Sequence, residues 1–103
     1  MVSLAEQLWI CRRDGGTLEV PPDGGPSSVE AALAVQREAV ACSGMDRVGF
    51  KGGSTSAEAQ KVLGTSEPGA SPVLTGFFHQ SPAEVAIDPS HGPAVEGEFA
   101  LRL

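Results

Sequence analysis

Positive charge is scarce in this chain. Seven Lys and Arg stand against thirteen Asp and Glu over 103 residues, a formal net charge of −6. No basic stripe is available to neutralise phosphates, which argues against a nucleic-acid or anionic-membrane partner and favours cations or small molecules. Long apolar runs are also missing. No segment approaches the eighteen or so consecutive apolar residues that a bilayer span needs. The opening MVSLAEQLWICRRDGG has no basic stretch followed by an apolar core, so it does not read as a secretory signal, and the expected location is cytoplasmic. Cysteine is limited to Cys11 and Cys42, both in segments that read as helical and neither near a second ligand. Two reduced thiols acting as small apolar side chains are expected. No repeat of fixed period occurs.

Glycine and proline, by contrast, are abundant. Thirteen and eight of them, respectively, imply short elements joined by many turns. The length suits one hydrophobic centre and one small domain. Over residues 3–13 the apolar positions Leu4, Leu8 and Cys11, flanked by Ala5 and Trp9, have the three-and-four spacing of a helix, ended by Gly15 and Gly16. The stretch TLEVPPDGGP reads as an extended connector. A second helix begins at Ser27, where Ser27 and Glu30 match a capping box, and stops at Gly44. Its expected buried face carries Val29, Ala32, Leu33, Gln36, Ala39 and Val40. Gln36 is then either a boundary residue reaching water or a polar group turned toward a site.

RVGFKGGSTS predicts a strand with Val48 and Phe50 on one side and Lys51 beside them, broken by Gly52 and Gly53. Thr55 and Glu58 form a second capping box opening a short helix that Gly64 ends. VLTGFFHQ, AEVAID and AVEGEFALRL then read as strands separated by Pro and Gly turns, so helices give way to β-structure in an α+β arrangement. In the last of them alternation puts Glu96 and Glu98 on one face. Carboxylates two apart on a strand can converge on one cation, and a divalent ion is the simplest way to keep both ionised. All-oxygen ligation suits Mg²⁺, Mn²⁺ or Ca²⁺ better than zinc. A half-exposed strand with two solvated glutamates has the same pattern, and His79 and His91 read as loop or strand-end residues.

Four stretches occur in a telling order: AVQREAV in a helix, Gly49-Phe50-Lys51-Gly52-Gly53-Ser54-Thr55-Ser56, Leu63-Gly64-Thr65-Ser66-Glu67-Pro68, and Val95-Glu96-Gly97-Glu98. This order resembles the N-terminal part of the 2-keto-4-pentenoate hydratases of the fumarylacetoacetate hydrolase (FAH) superfamily, over nearly the whole chain. The resemblance implies N-terminal helices leading into the first strands of a mixed β-roll. Residues 1–70 would be the helix-rich part, and residues 71–103 the start of the roll. It also implies a truncated single partial domain, because members of that family are much longer and supply a third acidic ligand from a later strand. Glu96 and Glu98 would be two of three ligands to Mg²⁺ or Mn²⁺, and Lys51 would lie in the substrate pocket as a catalytic and substrate-binding residue, preferably as the electrostatic partner of a carboxylate or enolate and otherwise as a proton carrier if desolvation lowers its pKa.

The implied reaction is hydration of a 2-hydroxy-2,4-dienoate to a 4-hydroxy-2-oxo acid in aromatic-compound degradation, by an enzyme that forms homo-oligomers when full length. Two features depart from the family pattern. Gly52 stands where Ile or Val is usual, loosening the backbone beside Lys51. No carboxylate follows Glu67-Pro68, where many hydratases have one for proton transfer. A related 2-oxo acid decarboxylase or acylpyruvate hydrolase is therefore an alternative, and a truncated, non-catalytic fragment is another.

Overall fold

The computed structural model describes residues 1–103. It is a small α+β arrangement of three helices and one two-stranded antiparallel sheet. The chain divides into two compact units, one of residues Met1–Ser43 with Glu84–Leu103 and the other of Gly44–Ala83.

In the first unit, helix α1 (Leu4–Asp14) packs on helix α2 (Val29–Ser43). The Ser3 hydroxyl caps α1 by accepting the Glu6 N–H, and Arg12 and Arg13 sit in the last turn, where the helix dipole favours cations. Gly15 ends the helix at φ +87° and ψ 178°, backbone angles open essentially to glycine alone. The expected face is the buried one except at Leu8, with Leu4 and Cys11 half-buried on it. Ala5 and Trp9, one turn apart, are buried, whereas Leu8 is exposed. A helix lays on its neighbour the stripe that best fits the partner, and on α1 that stripe centres on Ala5 and Trp9.

Helix α2 departs further from its expected face. Gln36, Ala39 and Val40 are half-buried as expected, but Val29, Ala32 and Leu33 are exposed, and Ala31 and Val35 take their place. The α2 cap is Ser28, not Ser27. Its hydroxyl accepts the Ala31 N–H at 3.1 Å and its carbonyl accepts the Ala32 N–H at 3.0 Å.

In the second unit, strand β1 (Arg47–Gly53) pairs with strand β2 (Gly69–Leu74) across helix α3 (Ala57–Leu63). Gly52 and Gly53 do not break β1; they pair with Ala70 and Gly69. The expected alternation fails at Val48, the extra residue of a bulge between Arg47 and Gly49. Val48 and Phe50 are both exposed, and the Arg47 guanidinium lies 4.5 Å from the centre of the Phe50 ring. Pro72, which has no N–H to donate, is tolerated because both strands of a two-stranded ribbon are edges.

The α3 cap is again one residue later than expected. Ser56, not Thr55, accepts the Ala59 N–H, and at the far end Gly64 turns left-handed while the Thr65 N–H reaches back to the Gln60 carbonyl.

The three strands expected after residue 72 are largely absent. Strand β2 ends at Leu74 and a 3₁₀ turn (Thr75–Phe77) follows. Residues 83–88 have no regular structure, and residues 92–103 beyond a second 3₁₀ turn (Pro89–His91) have none either. Period-two alternation marks a segment suited to a half-buried sheet, but a strand exists only where a neighbour supplies the ladder of hydrogen bonds. The buried hydrophobic residues are Ala5, Trp9 and Leu74, while Val95, Phe99, Leu101 and Leu103 are among the large apolar side chains left exposed. So small a core predicts marginal stability.

Candidate functional site

The segment that carries Glu96 and Glu98 leaves the second 3₁₀ turn, and that turn is tightly organised. Asp88 caps it: one carboxylate oxygen accepts both the Ser90 N–H at 2.9 Å and the Ser90 hydroxyl at 2.7 Å. Pro89 at the first turn position has its φ already set, and Gly92 closes the turn in the left-handed region at φ +60°. The other Asp88 oxygen reaches across the sequence to accept the Gly16 N–H at 2.8 Å. His91 completes the contact, its Nε2–H donating to the Gly16 carbonyl at 2.5 Å. Both polar groups of one backbone residue are thus held by two side chains of one turn.

This setting acts on Asp88 directly. The Gly16 N–H, followed by the Ser90 hydroxyl and N–H, stabilises the carboxylate and lowers its pKa from 3.8 to about 2. Asp88, Ser90 and His91 together hold the residue types of a hydrolytic triad, but not its geometry. The Ser90 hydroxyl donates to Asp88 instead of to an imidazole nitrogen, and His91 Nε2 is engaged by the Gly16 carbonyl. The cluster binds the protein's own backbone and presents no activated nucleophile.

Glu96 and Glu98 follow in the same unit, exposed and outside any strand. The face they were expected to share on a strand is therefore not formed. What remains is their chemistry, two oxygen donors separated by one glycine. That donor set fits Mg²⁺ or Mn²⁺, since Mg²⁺ typically keeps several waters and takes one or two carboxylates together with an anionic substrate. No group of three or more His, Cys, Asp or Glu side chains gathers in the chain. Lys51 belongs to the other unit, on β1 opposite Ser71, with an exposed side chain.

A groove of about 770 Å³ lies in the first unit, lined by the start of α1, the connector around Leu18 to Pro26, and Ala31 and Val35 of α2. It is mostly apolar, and neither Glu96 nor Glu98 lines it. Gln36, which could have turned a polar group toward a site, does not line it either.

The Asp88–His91 contact is the feature that sequence reasoning missed. Asp followed by Pro and Ser is a turn-capping pattern and could have located the turn, but nothing local points to Gly16 as its partner. No helix is long and apolar enough to cross a membrane. Comparison of the chain with protein-family models, with curated proteins and with solved structures finds no match.

Proposed function

We propose that this chain is the N-terminal portion of a metal-dependent hydratase of the 2-keto-4-pentenoate hydratase type, acting on a 2-hydroxy-2,4-dienoate. The observation that carries the reading is the order of four motifs along the sequence, ending in a pair of carboxylates whose donor chemistry suits Mg²⁺ or Mn²⁺. Glu96 and Glu98 would hold the ion. When bound, a divalent ion supplies Lewis-acid stabilisation of the negative charge that develops on a chelating 2-oxo acid. Lys51 contributes a positive charge toward the substrate carboxylate or enolate. Its same-face neighbours along β1 are Gly49 and Gly53, which carry no side chains and leave room that a planar acid can use. The complete enzyme is read as a cytoplasmic homo-oligomer whose third acidic ligand lies outside these 103 residues.

Isothermal titration with Mg²⁺ or Mn²⁺ tests the ligand assignment. Glu96→Ala and Glu98→Ala should each weaken binding; equal affinity in the parent and both variants would falsify it. A second reading is favoured by one observation. Residues 69–74, which follow Glu67-Pro68, form strand β2 and carry no acid able to move a proton. That leaves a decarboxylase or acylpyruvate hydrolase of the same superfamily as the alternative, and assays for water uptake, CO₂ release and carbon–carbon cleavage in the full-length protein separate the three.

A further inference from the structure

We propose that the groove formed by α1, α2 and the connector of residues 18–26 binds a small apolar amine, its hydrocarbon against the aliphatic lining and its ammonium at Glu19 and Asp23. The proposal stands apart from the metal-ligand reading of Glu96 and Glu98, neither of which lines the groove. Size, charge and rigidity each support it.

The volume of about 770 Å³ falls in the range of small-molecule sites. Aliphatic side chains such as Leu4, Leu18, Val20 and Val35 favour a hydrocarbon body. A polar head meets a one-sided set of partners. No Lys, Arg or His lines the groove, and the amino group of Met1 is its only cationic group. The Ser3 hydroxyl already donates to Glu38 at 2.6 Å, and the Gln7 amide donates to the Val2 carbonyl at 3.1 Å. What the side chains have left is mainly acceptor: the Glu19 carboxylate, the second Asp23 oxygen and the Gln7 side-chain carbonyl. An ammonium, which carries N–H donors and no acceptor, is the head that such a set satisfies. The lining has no aromatic ring, so a quaternary ammonium finds no π-face to replace the hydrogen bonds it cannot make.

The wall that carries the carboxylates is held before any ligand arrives. Pro21 and Pro22 have fixed φ, the Gly24 N–H donates to the Pro21 carbonyl at 2.8 Å, and the Gly25 N–H donates to Asp23 Oδ1 at 3.1 Å. On the helical side, the Ser3–Glu38 bond ties the start of α1 to α2. A wall already formed reduces the entropy lost on binding.

Calorimetric titration of the chain with n-octylamine, n-octanol, octanoate and octyltrimethylammonium tests the proposal. The amine should bind as one molecule per chain, about tenfold more tightly than the alcohol, and should weaken as salt is added. Octyltrimethylammonium should bind no better than the alcohol, and octanoate worse. Both carboxylates are exposed, so Glu19→Gln and Asp23→Asn should each lower amine affinity only about threefold, with alcohol affinity unchanged. Asparagine can still accept the Gly25 N–H, which keeps the turn intact. Ala31→Leu, which fills the groove with a good helix former, should abolish binding of both compounds. Glu30→Gln, on the same helix but outside the lining, should change neither.

Equal affinity for all four compounds would overturn the proposal, as would amine affinity unaltered in both carboxylate variants. Absence of amine binding, together with self-association that Ala31→Leu and Arg102→Gln both abolish, would overturn it in favour of a second copy of the chain. In that case the exposed Leu101, Arg102 and Leu103 of the other copy would fill the groove. Circular dichroism of each variant separates loss of the site from loss of the fold, and the two carboxylate variants decide the matter even if Ala31→Leu does not fold.

Discussion

The Asp88 carboxylate accepts the Gly16 N–H at 2.8 Å across 72 residues of sequence, and this bond makes the first unit sensitive to acid. The folded-state pKa of about 2 lies below the ordinary 3.8, so the carboxylate's contribution is complete above the ordinary value and disappears as pH falls through the lowered one. The thermal midpoint of the parent chain should exceed that of Asp88→Asn by a constant margin between pH 5 and pH 7, and the margin should shrink from about pH 4 down to pH 2. A margin independent of pH would show that the ionised carboxylate contributes nothing.

Gly15 and Gly16 have similar positive φ values, +87° and +90°, but different surroundings. A Cβ at Gly16 meets nothing within 4 Å, whereas one at Gly15 meets Asp88 Oδ2. Gly16→Ala should therefore cost only the backbone strain, about 1–3 kcal/mol. Gly15→Ala should cost more, because the carboxylate must also give way and lose its bond to Gly16. Urea unfolding of the two variants, followed by circular dichroism, gives the order; equal losses would mean that the crowding at Asp88 is relieved at no cost.

Helix caps offer a sharper comparison, because each cap has a neighbour that could have served. Ser28→Ala and Ser56→Ala should each destabilise by about 1 kcal/mol, while Ser27→Ala and Thr55→Ala should change stability by only a few tenths of that. The same urea titrations decide it, and the reverse order within either pair would restore the capping box suggested by the sequence.

These caps also show what was legible from sequence. Helix α1 was readable to within a residue at both ends, since Ser3 has no second hydroxyl beside it and the Gly15-Gly16 pair stops the helix in either register. Helices α2 and α3 were readable as elements, but their caps slipped by one residue. Ser27-Ser28 and Thr55-Ser56 are runs of two competent hydroxyls, and a Glu two or three positions on lies in the first turn in either register. Strand β1 was recognised, though its bulge at Val48 was not, because a bulge is set by the partner strand. The alternation in residues 94–103 was real in the sequence and produced no strand, because alternation encodes a preference for a sheet and not the presence of a neighbour. Least legible was the bond between Asp88 and Gly16. Side-chain to backbone contacts at long range leave no periodic trace.

Thiol accessibility follows from the helices. Both cysteines are free; Cys42 near the end of α2 is exposed, and Cys11 on α1 is half-buried. The expectation of two apolar-packed thiols therefore holds at best for Cys11. Titration with an aromatic disulfide reagent should release two equivalents per chain, the first from Cys42, and Cys42→Ala should abolish the faster phase. A single phase of two equivalents would place both thiols in the same environment.

Phe99 provides a test of ion binding that needs no enzymatic activity. It is fully exposed in a stretch without regular structure, whereas Trp9 is buried in α1, so chymotrypsin should cut the native chain first after Phe99. The scissile bond lies one residue beyond Glu98. If Glu96 and Glu98 hold a divalent ion, the protease must act on the ion-free chain. At ten times its dissociation constant the ion would then reduce the susceptible population, and the initial cleavage rate, about elevenfold. Mn²⁺ should slow cleavage of the parent chain and a chelator should restore it, while Glu96→Ala and Glu98→Ala should be cut at the parent's ion-free rate whether or not Mn²⁺ is present. Equal slowing of all three chains would trace the effect to the protease, and no slowing of any would leave the two carboxylates without a role in holding the ion.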